Sequence, residues 1–142
     1  MTEERKLVAQ AKKLGLFAAG AATQKYMQAI EEQQEIMGAI ADMTIETYAM
    51  ESAVLRAQKI VENKGESAAT LPLAMTRVYL SQAMEKIEAA ARRIIAAVAD
   101  GDMLRTQLAI LRRLAKYEPF NTIELRRQIA QRVIEQGKYT LA

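Results

Sequence analysis

The sequence predicts an all-α fold, a four- to five-helix up-and-down bundle that occupies residues 1–142 as a single domain. Strong helix formers dominate the composition, and only two Pro and six Gly interrupt the 142 residues. Apolar residues recur at alternating spacings of four and three, the period of an α-helix that packs against a neighbour. No stretch combines period-two alternation with β-branched residues, so we predict no strands.

The first predicted helix spans residues 3–30 and is thin in its middle. Small residues crowd the stretch between Gly15 and Ala22. Small residues at these positions indicate either a close approach to a neighbouring helix or a hinge. For close packing, the expected contact face is that of Gly15, Ala18 and Ala22. The inward face of this helix is predicted to carry Leu7, Ala11, Leu14 and Ala18.

The second and third predicted helices span residues 32–63 and 67–99 and carry the clearest apolar seams. Gly65 is predicted to be a left-handed C-cap of the second helix. Ser67 is predicted to cap the third, with Pro72 tolerated inside its first turn. The second helix has the seam Ile36, Ile40, Met43, Thr47, Met50, Val54, Ala57 and Val61. The third has the seam Leu80, Met84, Ile87, Ala91, Ile94 and Val98.

Two shorter helices complete the bundle, over residues 103–117 and 122–136. Asp102 is the predicted N-cap of the first, and Asn121 or Thr122 that of the second. Gly137 closes the last helix, and residues 138–142 are expected to fray. Short connections predict that helices adjacent in sequence are antiparallel neighbours in space. The predicted inward residues are Leu104, Leu108, Leu111 and Ala115 in the fourth helix, and Leu125, Ile129 and Val133 in the fifth.

The composition excludes several classes of function. The chain has no Cys and no His, which excludes disulfides, thiolate chemistry, imidazole metal sites and Ser-His-Asp triads. No apolar run approaches the roughly 20 residues of a membrane span, and the first residues lack the apolar region of a signal peptide. The net charge is only +3, and the aromatic residues are scattered, so we expect no nucleic-acid partner.

Carboxylates are the remaining candidates for metal binding or acid–base chemistry. Glu31, Glu32 and Glu35 cluster, and Asp42 and Glu46 lie one helical turn apart. A di-iron bundle also needs inward-facing Glu-x-x-His pairs, which a chain without His cannot supply. We therefore interpret these residues as a solvated acidic face and predict no catalytic, cofactor-binding or metal-binding residues.

The sequence allows two interpretations of its three arginine doublets, and two of its methionines. The doublets are Arg92-Arg93, Arg112-Arg113 and Arg126-Arg127, and only residues 31–66 carry an excess of acidic side chains. The doublets either flank the core and pair with that acidic helix, or offer a docking surface for phosphate or anionic lipid headgroups. Methionines at heptad positions are either core filler or an adaptable groove, with core filler favoured. They include Met43, Met50, Met75 and Met84.

Two stretches carry a resemblance to a known family. Residues 40–57 contain Ala41-Asp42, Tyr48-Ala49-Met50 and Arg56-Ala57, and residues 119–127 read Pro-Phe-Asn-Thr-Ile-Glu-Leu-Arg-Arg. Together with Ile129-Ala130 and Gln136–Tyr139, they resemble the C-terminal helical domain of long-chain and very-long-chain type acyl-CoA dehydrogenases of bacteria.

The resemblance implies that the chain is a fragment of a longer flavoenzyme. Such an enzyme binds FAD and oxidises fatty acyl-CoA to trans-2-enoyl-CoA in fatty-acid β-oxidation. This piece would hold no catalytic residue and no FAD. It would pack on the catalytic body of the same polypeptide, support a homodimer, and contact a membrane surface or an enzyme partner. The implied location is the cytoplasm, including the inner face of the membrane.

The sequence also allows two other hypotheses about function. One is a free-standing helical module that binds lipid surfaces or partner helices, and the other is a carboxylate metal or redox enzyme. If the chain is an excised domain, the face that its catalytic body covers is left exposed. We then expect the isolated chain to self-associate, because large exposed apolar patches are rare in monomers.

Overall fold

The computed structural model describes residues 1–139, and these residues form five α-helices with no strand. Short 3-10 segments, Met27–Glu32 and Ser67–Ala69, lead into the second and third helices. The predicted all-α fold is confirmed. The helices are α1 (Thr2–Tyr26), α2 (Gln34–Lys64), α3 (Thr70–Val98), α4 (Gly101–Ala115) and α5 (Thr122–Gln136).

Helix α3 is the centre of the molecule, because it contacts each of the other four helices. Helices α1, α2 and α3 also contact one another and enclose most of the core, while α4 packs on α1 and α3. Helix α5 contacts α3 and no other helix in the described part of the chain. The largest side chains that are fully buried include Leu14, Met43, Met50, Leu80, Met84, Ile87, Ile94, Ile95 and Leu111.

The seams predicted for α2 and α3 face the core. Every residue of both seams is buried or half-buried. Thr47 occupies a seam position of α2 because its hydroxyl donates to the Met43 carbonyl oxygen at 2.7 Å, which satisfies the polar group within the helix. Met43, Met50 and Met84 are buried, so these methionines are core filler, and Met75 is half-buried.

The first helix ends at Tyr26, earlier than the predicted residue 30. Met27 has a φ of 51°, a conformation that an α-helix cannot continue through, and the chain proceeds as a 3-10 segment. Close packing was expected at Gly15, Ala18 and Ala22, and only the two alanines are fully buried. A Cβ built on Gly15 would meet no atom within 4 Å, so the prediction for this glycine is wrong.

The helix ends follow the predicted caps in part. Asn121 Oδ1 accepts a hydrogen bond from the Glu124 amide at 3.1 Å, and Gly137 adopts the left-handed conformation at the end of α5. Gly65 has a positive φ of 87° but an extended ψ of 168°, so it is not a left-handed cap.

Three predicted boundaries differ in the second half of the chain. Ser67 opens a 3-10 segment, and α3 itself begins at Thr70 with Pro72 in its first turn. The N-cap of α4 is Asp100 instead of Asp102. Residues 140–142 of the predicted frayed tail lie outside the described residues.

Helix α5 lies on the outside of the bundle and buries none of its residues completely. Leu125 and Ile129 are half-buried towards the rest of the molecule, as predicted. Val133 is 36% exposed, so the prediction that it faces inward is wrong. The reason is that only α3 lies beneath α5, and one neighbour covers a narrower stripe than a full bundle would.

Candidate docking surface

The acidic residues singled out in the sequence do not form a metal site. Glu31, Glu32 and Glu35 are exposed around the start of α2, and Asp42 lies on the same helix as Glu46. Over residues 1–139, no three acidic side chains converge where they could hold a metal ion. Only Glu46 of this set is drawn towards the interior, and it is bound by two other side chains.

Glu46 forms a polar cluster with Tyr79 and Lys86 between α2 and α3. The Tyr79 hydroxyl donates to Glu46 Oε2 at 2.6 Å, and Lys86 Nζ lies 3.3 Å from Glu46 Oε1. The cluster borders a groove of about 330 Å³ that Asp42 and Arg93 also line. Burial, and then the bonded Glu46 carboxylate, raise the pKa of Tyr79 to about 12. Glu46 is thus a hydrogen-bond acceptor and ion-pair partner that connects α2 to α3.

This cluster predicts an unusual alkaline titration of Tyr79. In a spectrophotometric titration, we expect one phenol to ionise with a midpoint of about 12, and Tyr79→Phe to remove that phase. Because the folded pKa lies above the unfolded value of 10.0, the stabilising contribution is complete below pH 10 and is lost as the pH rises through about 12. Glu46→Gln should lower the midpoint while burial still holds it above 10. A Tyr79 midpoint that Glu46→Gln leaves unchanged would contradict the assigned hydrogen bond.

A second ion pair, in which only the carboxylate is buried, connects three parts of the chain. Arg77 Nε on α3 donates to Glu4 Oε1 on α1 at 2.7 Å, and the Arg77 guanidinium lies 5.2 Å from the centroid of the Phe120 ring. Gln10 Nε2 donates to the carbonyl oxygens of Leu114 at 3.0 Å and Lys116 at 2.7 Å. These contacts join α1 and α3 to the connection between α4 and α5.

The Glu4 carboxyl is 1% exposed, and its pKa is still lowered. Burial by itself would raise the pKa, but the hydrogen bond and the charge of Arg77 outweigh that effect. A buried carboxylate whose charge is balanced by an arginine in this way has a structural role. Glu4, Tyr79 and Arg77 could not be recognised from the sequence, because none of them belongs to a motif and their partners lie 33 or 73 residues away.

The three arginine doublets are exposed on three different helices. Arg92 pairs with Glu88 of its own helix at 2.9 Å. Within residues 1–139, the ion pairs to the acidic helix α2 come from Lys12 and Lys86 instead. The interpretation that the doublets pair with that helix is therefore wrong. They remain solvent-facing charges, spread over α3, α4 and α5.

The most prominent apolar surface lies on α1 and α2. A groove of about 420 Å³ runs between the two helices, with Gly15 and Ala19 on one wall. Leu16 and Tyr48 stand beside it and are 75% and 74% exposed. Ile45 and Leu55 are further exposed apolar residues of α2. We call the two exposed residues that line this groove, Leu16 and Tyr48, the α1–α2 surface. Exposed apolar groups that lie close together mark interaction sites.

None of the helices described here is long and apolar enough to cross a membrane.

The family to which these helices belong follows from comparison with known proteins. The family model described as "Acyl-CoA dehydrogenase, C-terminal domain" matches residues 10–113, which is well over half of the chain. The chain belongs to this family. The resemblance seen in the sequence is thus confirmed for the acyl-CoA dehydrogenase C-terminal domain, and the long-chain type remains to be tested.

Two relatives of this acyl-CoA dehydrogenase domain are similar along nearly its whole length. A probable acyl-CoA dehydrogenase of Bacillus subtilis strain 168 is 41% identical over 141 residues, which are 99% of this chain and 24% of the relative. The crystal structure of an acyl-CoA dehydrogenase complexed with FAD from Bacillus anthracis superposes with a TM-score of 0.94 at 42% identity. That match covers 96% of this chain and 24% of the other. The chain thus spans about a quarter of the length of both relatives.

Several polar groups and glycines of this acyl-CoA dehydrogenase domain are engaged within the fold itself. Glu4 is bound by Arg77, and Glu46 is bound by Tyr79 and Lys86. Gly15 and Gly20 lie inside α1, away from the strand–loop–helix setting of a phosphate-binding loop.

Proposed function

We propose that this chain is the accessory helical domain of an FAD-dependent acyl-CoA dehydrogenase of the long-chain type, located in the cytoplasm. The enzyme would oxidise fatty acyl-CoA to trans-2-enoyl-CoA, and the residues for that reaction and for FAD would lie in the catalytic body. The domain itself would pack on the catalytic body of the same polypeptide and support a homodimer.

The observation that carries the proposal is the α1–α2 surface. Leu16 and Tyr48 are large apolar side chains that the five-helix fold leaves three-quarters exposed. The relatives contain about three times as much additional polypeptide as the part matched by this chain. A surface of this kind on a fragment fits a contact that the missing polypeptide completes.

Charge substitution on the α1–α2 surface should weaken this contact. In an assay of binding between the chain and a separately produced catalytic body, we expect Leu16→Asp with Tyr48→Asp to reduce affinity by at least about tenfold. Two carboxylates would have to be desolvated at the contact. Met103→Asp is the matched control, since Met103 is 60% exposed on α4 and lies outside this surface.

The isolated chain should also self-associate through the same residues. Sedimentation velocity is expected to show a concentration-dependent dimer that the Leu16→Asp, Tyr48→Asp variant abolishes and Met103→Asp retains. Equal binding of the catalytic body by both variants would contradict the proposed surface.

The second candidate function is that of a free-standing module that binds lipid surfaces. The exposed arginine doublets support it, because they could contact anionic headgroups. Co-sedimentation with vesicles that contain anionic lipid distinguishes the two. Salt-sensitive binding by the chain, without affinity for a catalytic body, would favour this second candidate.

A further inference from the structure

The turn between α1 and α2 holds a strained residue. Met27 has a φ of 51° and a ψ of −123°, which are close to the angles of the first central residue of a type II′ turn. Glycine dominates that position, because a Cβ is crowded by the neighbouring backbone there. The Met27 side chain is 72% exposed, so its own packing does little to offset the strain. Backbone strain of this kind is found in switch regions.

The sequence of this turn favours a straight helix. Residues 27–33 read Met-Gln-Ala-Ile-Glu-Glu-Gln, which are mostly strong helix formers without Gly, Pro or a short capping side chain. The chain nevertheless leaves the α-helix at Met27 and passes through a 3-10 segment that buries none of its residues. A helix that continued through the turn would relax Met27 and restore α-helical hydrogen bonds. Local preference and fold thus conflict at this turn.

We infer that this turn is the hinge of a domain swap, in which two copies of the chain exchange α1. Opening the turn joins α1 and α2 into one continuous helix, and α1 then packs on α2, α3 and α4 of the second copy. These are the helices that α1 contacts within one chain, so the exchange preserves its core contacts. Each copy also releases the strain at Met27.

The geometry of the swapped dimer follows from the pairing of α1 with α2. Arg5 binds Gln58 and Lys12 binds Glu51, so the start of α1 lies opposite the end of α2. The two helices are therefore antiparallel. Two continuous helices that keep this pairing also run antiparallel, and they cross at the turn.

Exposed apolar side chains around the turn are covered at that crossing. Met27 and Met37 are 72% and 46% exposed, and Ile30 is half-buried. In a continuous helix these three residues lie on one face, because they are spaced by three and seven residues. The swap therefore adds an apolar contact that a single chain lacks, and burial of this contact favours the dimer.

Crosslinking of mixed chains tests the swap. Isotope-labelled and unlabelled chains are unfolded together in urea and refolded at high concentration, and the dimer fraction is then diluted. Dilution dissociates the reversible dimer expected from the α1–α2 surface, whereas a swapped dimer persists because α1 must unfold before the copies separate.

A carbodiimide then joins Lys12 Nζ to the Glu51 carboxylate, which lies 2.8 Å away across α1 and α2. We expect crosslinked peptides that combine a labelled and an unlabelled chain. The internal control is Lys86 with Glu46, 3.3 Å apart, whose crosslink should stay within one chain because α2 and α3 remain together.

A matched pair of variants at Met27 tests the strain as the cause. Met27→Gly accepts the positive φ and should lower the yield of persistent dimer at least about tenfold. Met27→Ala also loses the methionine side chain but keeps a Cβ at the positive φ, so it should retain most of the dimer. Met27→Gly should also unfold at a higher urea concentration than Met27→Ala.

Four results would overturn the swap. They are refolding to monomer alone, Lys12–Glu51 crosslinks confined to single chains, mixed crosslinks at Lys86–Glu46 as well, and equal dimer yields from the two Met27 variants. The swap needs no catalytic body, so each of these results leaves the proposed function to its own binding assay.

Discussion

Truncation of Leu80 to alanine is expected to destabilise the chain by about 3 kcal/mol, the largest effect that we predict for a single side chain. Leu80 is fully buried on α3, the helix that every other helix contacts. Removing its branched end leaves a cavity that straight, mutually packed helices cannot collapse to fill. Urea unfolding followed by circular dichroism measures the loss.

The matched control for this prediction is Leu16→Ala. The same atoms are removed from a leucine that is largely in water, so a change within about 0.5 kcal/mol is expected. A loss below about 1 kcal/mol for Leu80→Ala would mean that α3 is not the centre of the core.

Replacement of Arg77 by methionine is expected to cost about 2 to 3 kcal/mol at neutral pH. The substitution leaves the Glu4 carboxylate buried without its cation, and it also removes the contact with Phe120. This loss lies at or below the lower limit of about 3 kcal/mol for broken buried pairs, because the Arg77 side chain is itself 36% exposed. Thermal and urea unfolding of the variant would measure the loss.

The pH dependence gives this prediction a second readout. Arg77 lowers the pKa of Glu4, so the pair stabilises the fold above the unfolded value of 4.5, and this contribution is lost as the pH falls through the lower folded value. The difference between wild type and Arg77→Met should therefore shrink in acid. Adding Glu4→Gln to Arg77→Met should recover part of the stability, since a neutral amide costs less to bury. An Arg77→Met loss that is the same in acid and at neutral pH would refute the ion pair as its cause.

The five helices were predictable because the evidence for each is local. The seams of α2 and α3 repeat every seven residues, and such a pattern can bury all of its apolar residues only as a helix. Asn121 and Gly137 mark the ends of α5 by the chemistry of single residues. The first helix was predicted too long because Met27, which ends it with a positive φ, is by residue type a good helix former.

Exposure was less predictable than helix position. The apolar spacing in α5 predicted that three residues face inward, but Val133 is exposed. The spacing of apolar residues along a helix does not show how many other helices pack against it. The arginine doublets show the same limit, since the cations that reach α2 are single lysines on α1 and α3.

The sequence by itself determined the all-α fold, the two long seams and the lack of side chains for imidazole or thiol chemistry, because these depend on composition and on spacing along the chain. Only the tertiary structure decided that Glu4 meets Arg77, that Tyr79 meets Glu46, and that Leu16 and Tyr48 line one groove between α1 and α2. The physical reason is that a helical period specifies which face of each helix is apolar, whereas the contacts between helices depend on how many neighbours each face finds.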